Sequence, residues 1–322
     1  MSRRNQRKKK KHVLLIIFII ILVFAGGWYL LVSKICDKMN LVPPTQTSEE
    51  SEKQPYKEKG AVNILLIGSD SREDDEEGRS DAMILLSISD NTKTIQMISL
   101  LRDMYVEIPG HDGNRLNAAY AYGGPELLMD TIEQNFDIPV NRYMVVNFEA
   151  FANLVDAVGG VELELTNEEV QYVNGYLIEY NMLTERPEGT DYLDPAAAGK
   201  LHLNGAQALS YSRNRYIGMD FGRTERQRKV LSEIVKNLPK ALITNPVELA
   251  DGLLPNLTTN LTKQECYLLS LQAGKPFLYN IEQGCVPVEG TYEAANIRGM
   301  EVLQIDFDKN KEYLQNCIYD KN

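Results

Sequence analysis

The chain has 322 residues, 43% of them apolar, and a formal net charge of −11. Seven basic side chains (Arg3, Arg4, Arg7, Lys8, Lys9, Lys10 and Lys11) open it, so the remainder carries −18. A body that acidic excludes sequence-independent nucleic-acid binding, which rests on neutralising backbone phosphates. Four cysteines with no CxxC pair, together with three histidines, exclude a structural zinc site.

Residues 1–12 form the basic tail, and Val13–Val32 follows without a charge. About 20 apolar residues span the hydrocarbon core of a bilayer as a helix, and the basic excess ahead of the run predicts a cytoplasmic N-terminus. Trp28 and Tyr29 stand near its outer end, where amphipathic rings favour the interface. No small-x-small cleavage site follows, so residues 13–32 are expected to stay as an uncleaved transmembrane anchor. Residues 33–60 then read as an extracytoplasmic linker. Its Pro43–Lys59 stretch is rich in Pro, Thr, Ser, Glu and Lys and lacks the apolar residues that would let it fold.

From residue 61 to 322 the pattern is that of a folded domain. Val62–Ile67, Ala82–Ile88 and Thr94–Leu100 are short apolar runs bounded by polar residues, hence strands, and Tyr105–Ile108 continues the series. Pro125 after Gly123-Gly124 opens a helix to Phe136. Tyr143–Val146 is a further strand, Phe148–Val158 has helical spacing on what reads as a core face, and Val161–Leu165 returns to strand. Thr166–Lys200 gives mixed signals. Gly205–Tyr211 and Thr224–Leu238 read as helices, Thr224 as the second one's cap, and Asn245-Pro246 interrupts the helical pattern. Helices near Lys263–Ala273 and Lys309–Ile318 bracket a strand near Gly284–Val288. The interleaving predicts an α/β domain, a central mixed β-sheet flanked by helices. Outside the cytoplasm a Cys266–Cys285 bridge is open, alongside buried free thiols.

Chemistry gathers at predicted strand ends. Asp70 and Arg72 follow the first strand, Arg79 and Asp81 precede the second, and Arg102-Asp103 follows the third. Residues just beyond strand ends line the ligand crevice of such sheets. Asp70 and Asp81 flank one acidic loop, and two carboxylates with few other ligands suit Mg²⁺ completed by substrate phosphate oxygens. Arg213 and Arg215 point the same way if their segment is extended, and Arg223, Arg226 and Gln227 share a helix face. The guanidinium fork matches phosphate oxygens, so the set predicts a phosphate or pyrophosphate site. No P-loop occurs, so no nucleotide site is expected, and the lack of a G-x-S-x-G elbow with the scarcity of histidine argues against a Ser-His-Asp hydrolase.

These blocks resemble the LytR-CpsA-Psr family of cell-wall glycopolymer ligases. The similarity is carried by Asn63–Arg72, Arg79–Asp81, Leu100–Asp103, Glu107–Gly110, Leu116–Tyr120, Asp156–Val161, His202–Gly205, Tyr211–Arg215 and Asp220–Gln227. It is strongest over residues 61–238. Leu101 and Met104 stand where the family often has proline and threonine. The resemblance implies a phosphotransferase outside the membrane. It would move a glycopolymer, of teichoic acid or capsular polysaccharide type, from undecaprenyl pyrophosphate to peptidoglycan and release undecaprenyl phosphate. Carried over, Asp70 and Asp81 hold Mg²⁺ (or Mn²⁺), and Arg79, Arg102, Arg213, Arg215 and Arg223 grip the pyrophosphate. Arg226, Gln227 and Asn117 bind substrate nearby, and Asp81 and Asp103 are the candidate general bases. Two alternatives share these residues: a polyprenyl pyrophosphatase with water as acceptor, and a non-catalytic envelope regulator.

Overall fold

The computed structural model describes residues 25–42, 59–69 and 80–319. In chain order, a helix over residues 25–36 (α1) leads to β1 (Asn40–Leu41). β2 (Ala61–Ser69), β3 (Ser80–Ser89), β4 (Thr94–Leu100), β5 (Tyr105–Val106) and β6 (Asn114–Arg115) follow. Next come α2 (Leu116–Phe136), β7 (Arg142–Val146), α3 (Phe148–Ala157), β8 (Val161–Leu165), α4 (Asn167–Leu183) and β9 (Gly199–Leu203). The chain continues with α5 (Gly205–Arg213), α6 (Met219–Thr244), α7 (Pro246–Leu253), β10 (Leu257–Thr259) and α8 (Lys263–Ser270). It closes with β11 (Asn280–Val286), β12 (Tyr292–Ile297), β13 (Met300–Ile305) and α9 (Phe307–Ile318).

Seven strands form the main sheet in the order β1-β10-β7-β2-β3-β4-β11. β7 and β11 run parallel to β2 and β4 respectively, and β3 runs against both β2 and β4. This is the mixed, helix-flanked sheet expected from the sequence. The C-terminal ends of β2, β4, β7 and β11 therefore share one end, the upper end, with the start of β3. Ala61, Thr94 and Asn280 mark the lower end, together with the β3–β4 turn.

Strand alternation gives the sheet two unlike faces. Leu65, Ile67, Met83, Leu85, Ile98 and Leu100 are at most 2% exposed and belong to the core shared with Leu128, Ile132 and Phe136 of α2 and Leu314 and Ile318 of α9. The opposite face carries Ile64, Leu66, Ile84, Leu86, Ile88, Met97 and Ser99, cross-paired along the register. Here Leu66, Leu86 and Ile88 stay partly exposed. Arg228 of α6 donates to Ser99 Oγ at 2.6 Å, which fixes α6 on this side. An apolar stripe thus runs from Ile88 at the lower end to Leu66 and Ile84 towards the upper end, less completely covered than the other face.

Several expectations change. The linker expected over residues 33–60 starts later: residues 33–36 finish α1, and β1 joins the sheet edge beside β10. Of the apolar run at 13–32, residues 13–24 lie outside the described residues and residues 25–32 are helical. Among the described residues no helix is long and apolar enough to cross a membrane. The Tyr105–Ile108 strand is only Tyr105–Val106, paired with β6. α2 begins at Leu116, ahead of Pro125; its Gly123 and Gly124 leave helical geometry, so Pro125 restarts the helix after a kink. The mixed Thr166–Lys200 stretch holds α4, whose Thr166–Glu169 capping box satisfies its first turn. α8 ends at Ser270, short of Ala273, and the last sheet strand occupies Asn280–Val286 in place of Gly284–Val288. All four thiols are free. Cys266 packs with Cys36 while Cys285 borders the main core, so the fold does not bring the Cys266–Cys285 pair together.

Candidate active site

At the upper end, β2 and β3 pair Gly68 with Ala82 and Ser69 with Ser80. Asp81 is therefore the extra residue of a β-bulge, and Asp70 is the next residue after Ser69. Bulges of this kind recur beside active sites, where they redirect the chain. Asp70 and Arg79 lie outside the described residues, and only the backbone of Asp81 is described. The bulge sets the Asp81 backbone at the end of the sheet that β2 and β4 also reach with their last residues. Among the described residues no group of three or more His, Cys, Asp and Glu side chains forms an alternative metal centre.

The third strand delivers Arg102-Asp103 to the same end, as its position in the sequence predicts. Arg102 Nε lies 3.0 Å from Asp220 Oδ2 and 3.6 Å from Asp103 Oδ2. Asp103 Oδ1 accepts from Arg115 Nη1 at 3.1 Å, and Asp220 Oδ1 lies 3.4 Å from Arg223 Nη2. Arg115, Asp103, Arg102, Asp220 and Arg223 thus form a ladder of alternating charge from β6 to α6. Burial works against ionisation of Asp220, but Arg223 and Arg102 outweigh it and hold its carboxyl below the usual range. Asn117 is 6% exposed, and its backbone N–H donates to the Arg102 carbonyl at 3.2 Å, supporting the loop from behind.

The second arginine cluster is not the extended segment that would align its side chains. Arg213 is the last residue of α5, and Arg215 is exposed in the turn beyond it, so the two do not share a strand face. Arg213 pairs with Glu179 at 3.2 Å, and its guanidinium lies 4.9 Å from the Phe148 ring centroid and 5.4 Å from that of Tyr176. α6 starts at Met219 rather than at Thr224, with Gly218 as N-cap in the left-handed region (φ 71°). Thr224 caps nothing; its hydroxyl donates back to the Phe221 carbonyl. Arg223 and Arg226, on one face of α6, are 3% and 4% exposed. Arg226 Nη2 donates to the carbonyls of Asn214 and Ile217, both at 2.6 Å, and so ties down the α5–α6 turn. Gly222 makes this closure feasible, since a Cβ there would sit 2.4 Å from the Ile217 oxygen. Arg226 Nε and Gln227 Oε1 are buried with no partner among the described residues.

Reasoning from sequence missed three contributors. Arg115 braces Asp103; a basic residue opening the Leu116 helix was the available signal. Arg228 is buried against Ser99 and lies one helix turn beyond Thr224. The third is an aromatic group beside Arg213: Tyr216, 74% exposed, stacks on Tyr172 at 5.0 Å with an interplanar angle of 9°. Nothing local in the sequence joins Tyr172 to Tyr216.

Arg102, Arg115 and Arg223, held on Asp103 and Asp220, present planar donor forks of the kind that match phosphate oxygens. The chain is 37% identical over 257 residues, 77% of each chain, to polyisoprenyl-teichoic acid--peptidoglycan teichoic acid transferase TagU of Enterococcus faecalis. The structure of TagT bound to LI-WTA superposes with a TM-score of 0.64 at 28% identity, covering 82% of this chain and 94% of that one. A LytR-CPS2A-psr family protein, YwtF (TagT), with bound octaprenyl pyrophosphate lipid gives a TM-score of 0.61 at 25% identity, covering 87% and 99%. The family model described as the LytR_cpsA_psr family matches residues 32–316, and the chain belongs to that family.

Proposed function

We propose that this chain is a phosphotransferase that moves an anionic glycopolymer, of teichoic acid or capsular polysaccharide type, from undecaprenyl pyrophosphate to peptidoglycan. The observation that carries this reading is the arginine ladder standing at the upper end of a partly uncovered apolar stripe. An arginine cluster alone fits any phosphate. Continuity with an apolar track fits a pyrophosphate that carries a polyprenyl tail. The names of the E. faecalis relative and of the lipid-bound TagT structures point the same way.

In the reaction a hydroxyl oxygen of peptidoglycan attacks the polymer-side phosphorus. The bond from that phosphorus to the bridging oxygen breaks, and the bridging oxygen leaves with undecaprenyl phosphate. The hydroxyl proton passes to a carboxylate, Asp103 or Asp81. Arg102 and Arg223, spaced by Asp220, face charge that grows on the bridging and non-bridging oxygens, the kind of stabilisation that is largest when donors are already in place. Arg79, Arg213 and Arg215 complete the positive rim, Arg226 and Asn117 hold the turn and loop that present it, and Gln227, next to Arg226 on α6, binds substrate nearby. Asp70 and Asp81 would hold a Mg²⁺ ion, which would add charge neutralisation on the phosphate oxygens. Residues 13–32 anchor the chain as a single membrane span, with residues 1–12 cytoplasmic and the catalytic domain outside.

The test is mass analysis of the protein purified from a bacterial host, followed by titration with polyprenyl pyrophosphate. Retention or uptake of the lipid by the natural chain, and its loss in a combined Arg102→Ala, Arg223→Ala variant, supports the reading. A protein that binds inorganic pyrophosphate equally well and ignores the lipid would reduce the site to a generic phosphate-binding module.

A further inference from the structure

The lower end of the molecule carries apolar side chains that no part of the described fold covers. After α8 the chain passes Leu268 (37% exposed) and Leu271 (59%), then makes a single 3₁₀ turn at Lys275–Phe277 before entering β11. Phe277 and Leu278 in that turn are 69% and 79% exposed. α6 packs against the same turn. Its N-terminal half is fixed to Ser99 at the upper end, so its C-terminal residues Leu242 and Ile243 reach the lower end, Ile243 at 82% exposure. The turn is not a loose loop. Lys275 Nζ and Tyr279 Oη both bond Asp90 of the β3–β4 turn, and Asn280 N–H donates to the Lys93 carbonyl. A rigidly held turn that points a phenylalanine and a leucine at solvent is an interaction surface.

Its occupant follows from where the chain enters. α1 lies against α8: Trp28 Nε1 donates to Ser270 Oγ at 3.0 Å, and Tyr29 meets Tyr267 edge-on at 5.5 Å. Trp28 and Tyr29 are outer residues of the apolar run 13–32, most of which precedes them. A chain leaving a bilayer at Trp28 brings α8, and the turn after it, to the lipid surface at once. Exposed Lys93 and Lys240 border the apolar residues and match anionic headgroups.

We infer that the lower end of the sheet, with Leu271, Phe277, Leu278, Leu242 and Ile243 at its centre, beds into the outer face of the phospholipid bilayer. This rests on the reading of residues 13–32 as the membrane anchor and adds a fixed orientation to it. β4 spans seven residues between the two ends, so the arginine ladder stands about 20 Å above the seat. The apolar stripe over Ile88, Leu86 and Leu66 then connects the lipid to the ladder. The substrate's tail leaves the bilayer along the sheet while its pyrophosphate reaches the upper end.

The chain has one tryptophan, Trp28, which makes the test direct. Full-length protein is reconstituted in vesicles of phosphatidylethanolamine and phosphatidylglycerol whose acyl chains are brominated near the headgroup, and indole quenching is measured. In a Trp28→Phe background, Phe277→Trp or Leu271→Trp is expected to be quenched to the same extent as Trp28 in the natural chain. Glu293→Trp, on the β12–β13 hairpin at the upper end, is expected to keep its emission. Two positions are used so that one misfolded variant does not decide the matter. Quenching of Trp28 without quenching at 277 and 271 overturns the seat while leaving the anchor standing. No quenching of Trp28 itself overturns the anchor and the seat together. Blue-shifted but unquenched indoles at 277 and 271 mean that protein covers this face, a second copy of the chain included, and also overturn the proposal.

Discussion

Arg102 on the loop after β4 and Asp220 in the first turn of α6 meet at 3.0 Å although 118 residues separate them. The contact joins the two arginine clusters into one site, because Asp220 holds Arg223 with its other oxygen. Asp220 is thus a positioning residue, and Asp220→Asn keeps its shape while removing the charge that spaces the two guanidinia. Charge-assisted hydrogen bonds of this kind contribute about 1.5–3 kcal/mol, so transfer is expected to fall roughly 10- to 150-fold. The loss should lie mainly in kcat, with polyprenyl pyrophosphate binding reduced little, which separate titration and turnover measurements will show.

Arg226 is expected to behave in the opposite way. Its guanidinium holds two carbonyls of the α5–α6 turn from a buried position, so Arg226→Ala leaves both without their donor. A loss of about 3 kcal/mol is expected, lowering Tm by about 6–12 °C. Arg213→Ala, by contrast, removes a partly exposed ring-stacked cation and should lower activity with little change in Tm. Thermal melts of the two variants side by side make the comparison.

Gly222→Ala tests the same turn through sterics. Its new Cβ meets the Ile217 carbonyl, so either the turn or the start of α6 must move, at about 1–3 kcal/mol. Arg223 and Asp220 sit within two residues and move with it. Activity should fall further than Tm alone explains, measured at a temperature where the variant remains folded.

The start of α6 also shows what could and could not be read from the chain. Met219-Asp-Phe-Gly222 has the local character of a loop because it contains a glycine and follows Gly218, which is why the sequence places the helix start at Thr224. The glycine is there for close approach to Ile217, a tertiary reason invisible to a local reading. Similarly, an extended segment would let Arg213 and Arg215 line one strand face, but Asn204 and Gln207 cap a helix that runs through Arg213. α4 was more legible than its mixed composition implied: Thr166 and Glu169 form a capping box ahead of Val170, Val173 and Leu177, all on one buried face. The strand ends, and with them the positions of Arg102 and Asp103 and the backbone of Asp81, followed from apolar runs alone. Asp220 beside Arg223 is a local pair that the sequence offers, but its reach to Arg102, and the pairing of Glu179 with Arg213 and of Glu169 with Arg226 at 3.7 Å, come only from the packing of distant elements.

Acid should weaken the domain through a defined pair. Glu265 accepts three bonds from Arg142, two of them from its Nε at 3.0 Å. Burial pushes the Glu265 carboxyl up, but Arg142 and the Thr262 backbone N–H more than offset this and hold it low. A carboxyl lowered in the folded state stabilises fully above its unfolded pKa of about 4.3, and that stability is lost as pH falls through the lower folded value. The natural chain should therefore lose Tm below about pH 4. Glu265→Gln should melt lower at neutral pH and show a flatter acid limb.

Chelation checks the metal proposed for Asp70 and Asp81. Removing divalent ions should abolish transfer, Mg²⁺ or Mn²⁺ should restore it, and Asp81→Ala should be insensitive to either. The melting temperature of Asp81→Ala, without and with added Mg²⁺, supplies a readout independent of turnover: only the natural chain should be stabilised by the ion.

Transfer to a sugar hydroxyl is what separates this enzyme from a pyrophosphatase, and product analysis distinguishes the two. Full-length protein in vesicles is given radiolabelled glycopolymer on undecaprenyl pyrophosphate, Mg²⁺ and peptidoglycan, and the label is then fractionated. Label is expected in the peptidoglycan through a phosphodiester, in equal amount to the undecaprenyl phosphate released, and none with the Arg102→Ala, Arg223→Ala variant. Label appearing only as free polymer phosphate, with peptidoglycan present and unmodified, would contradict that transfer and identify water as the acceptor.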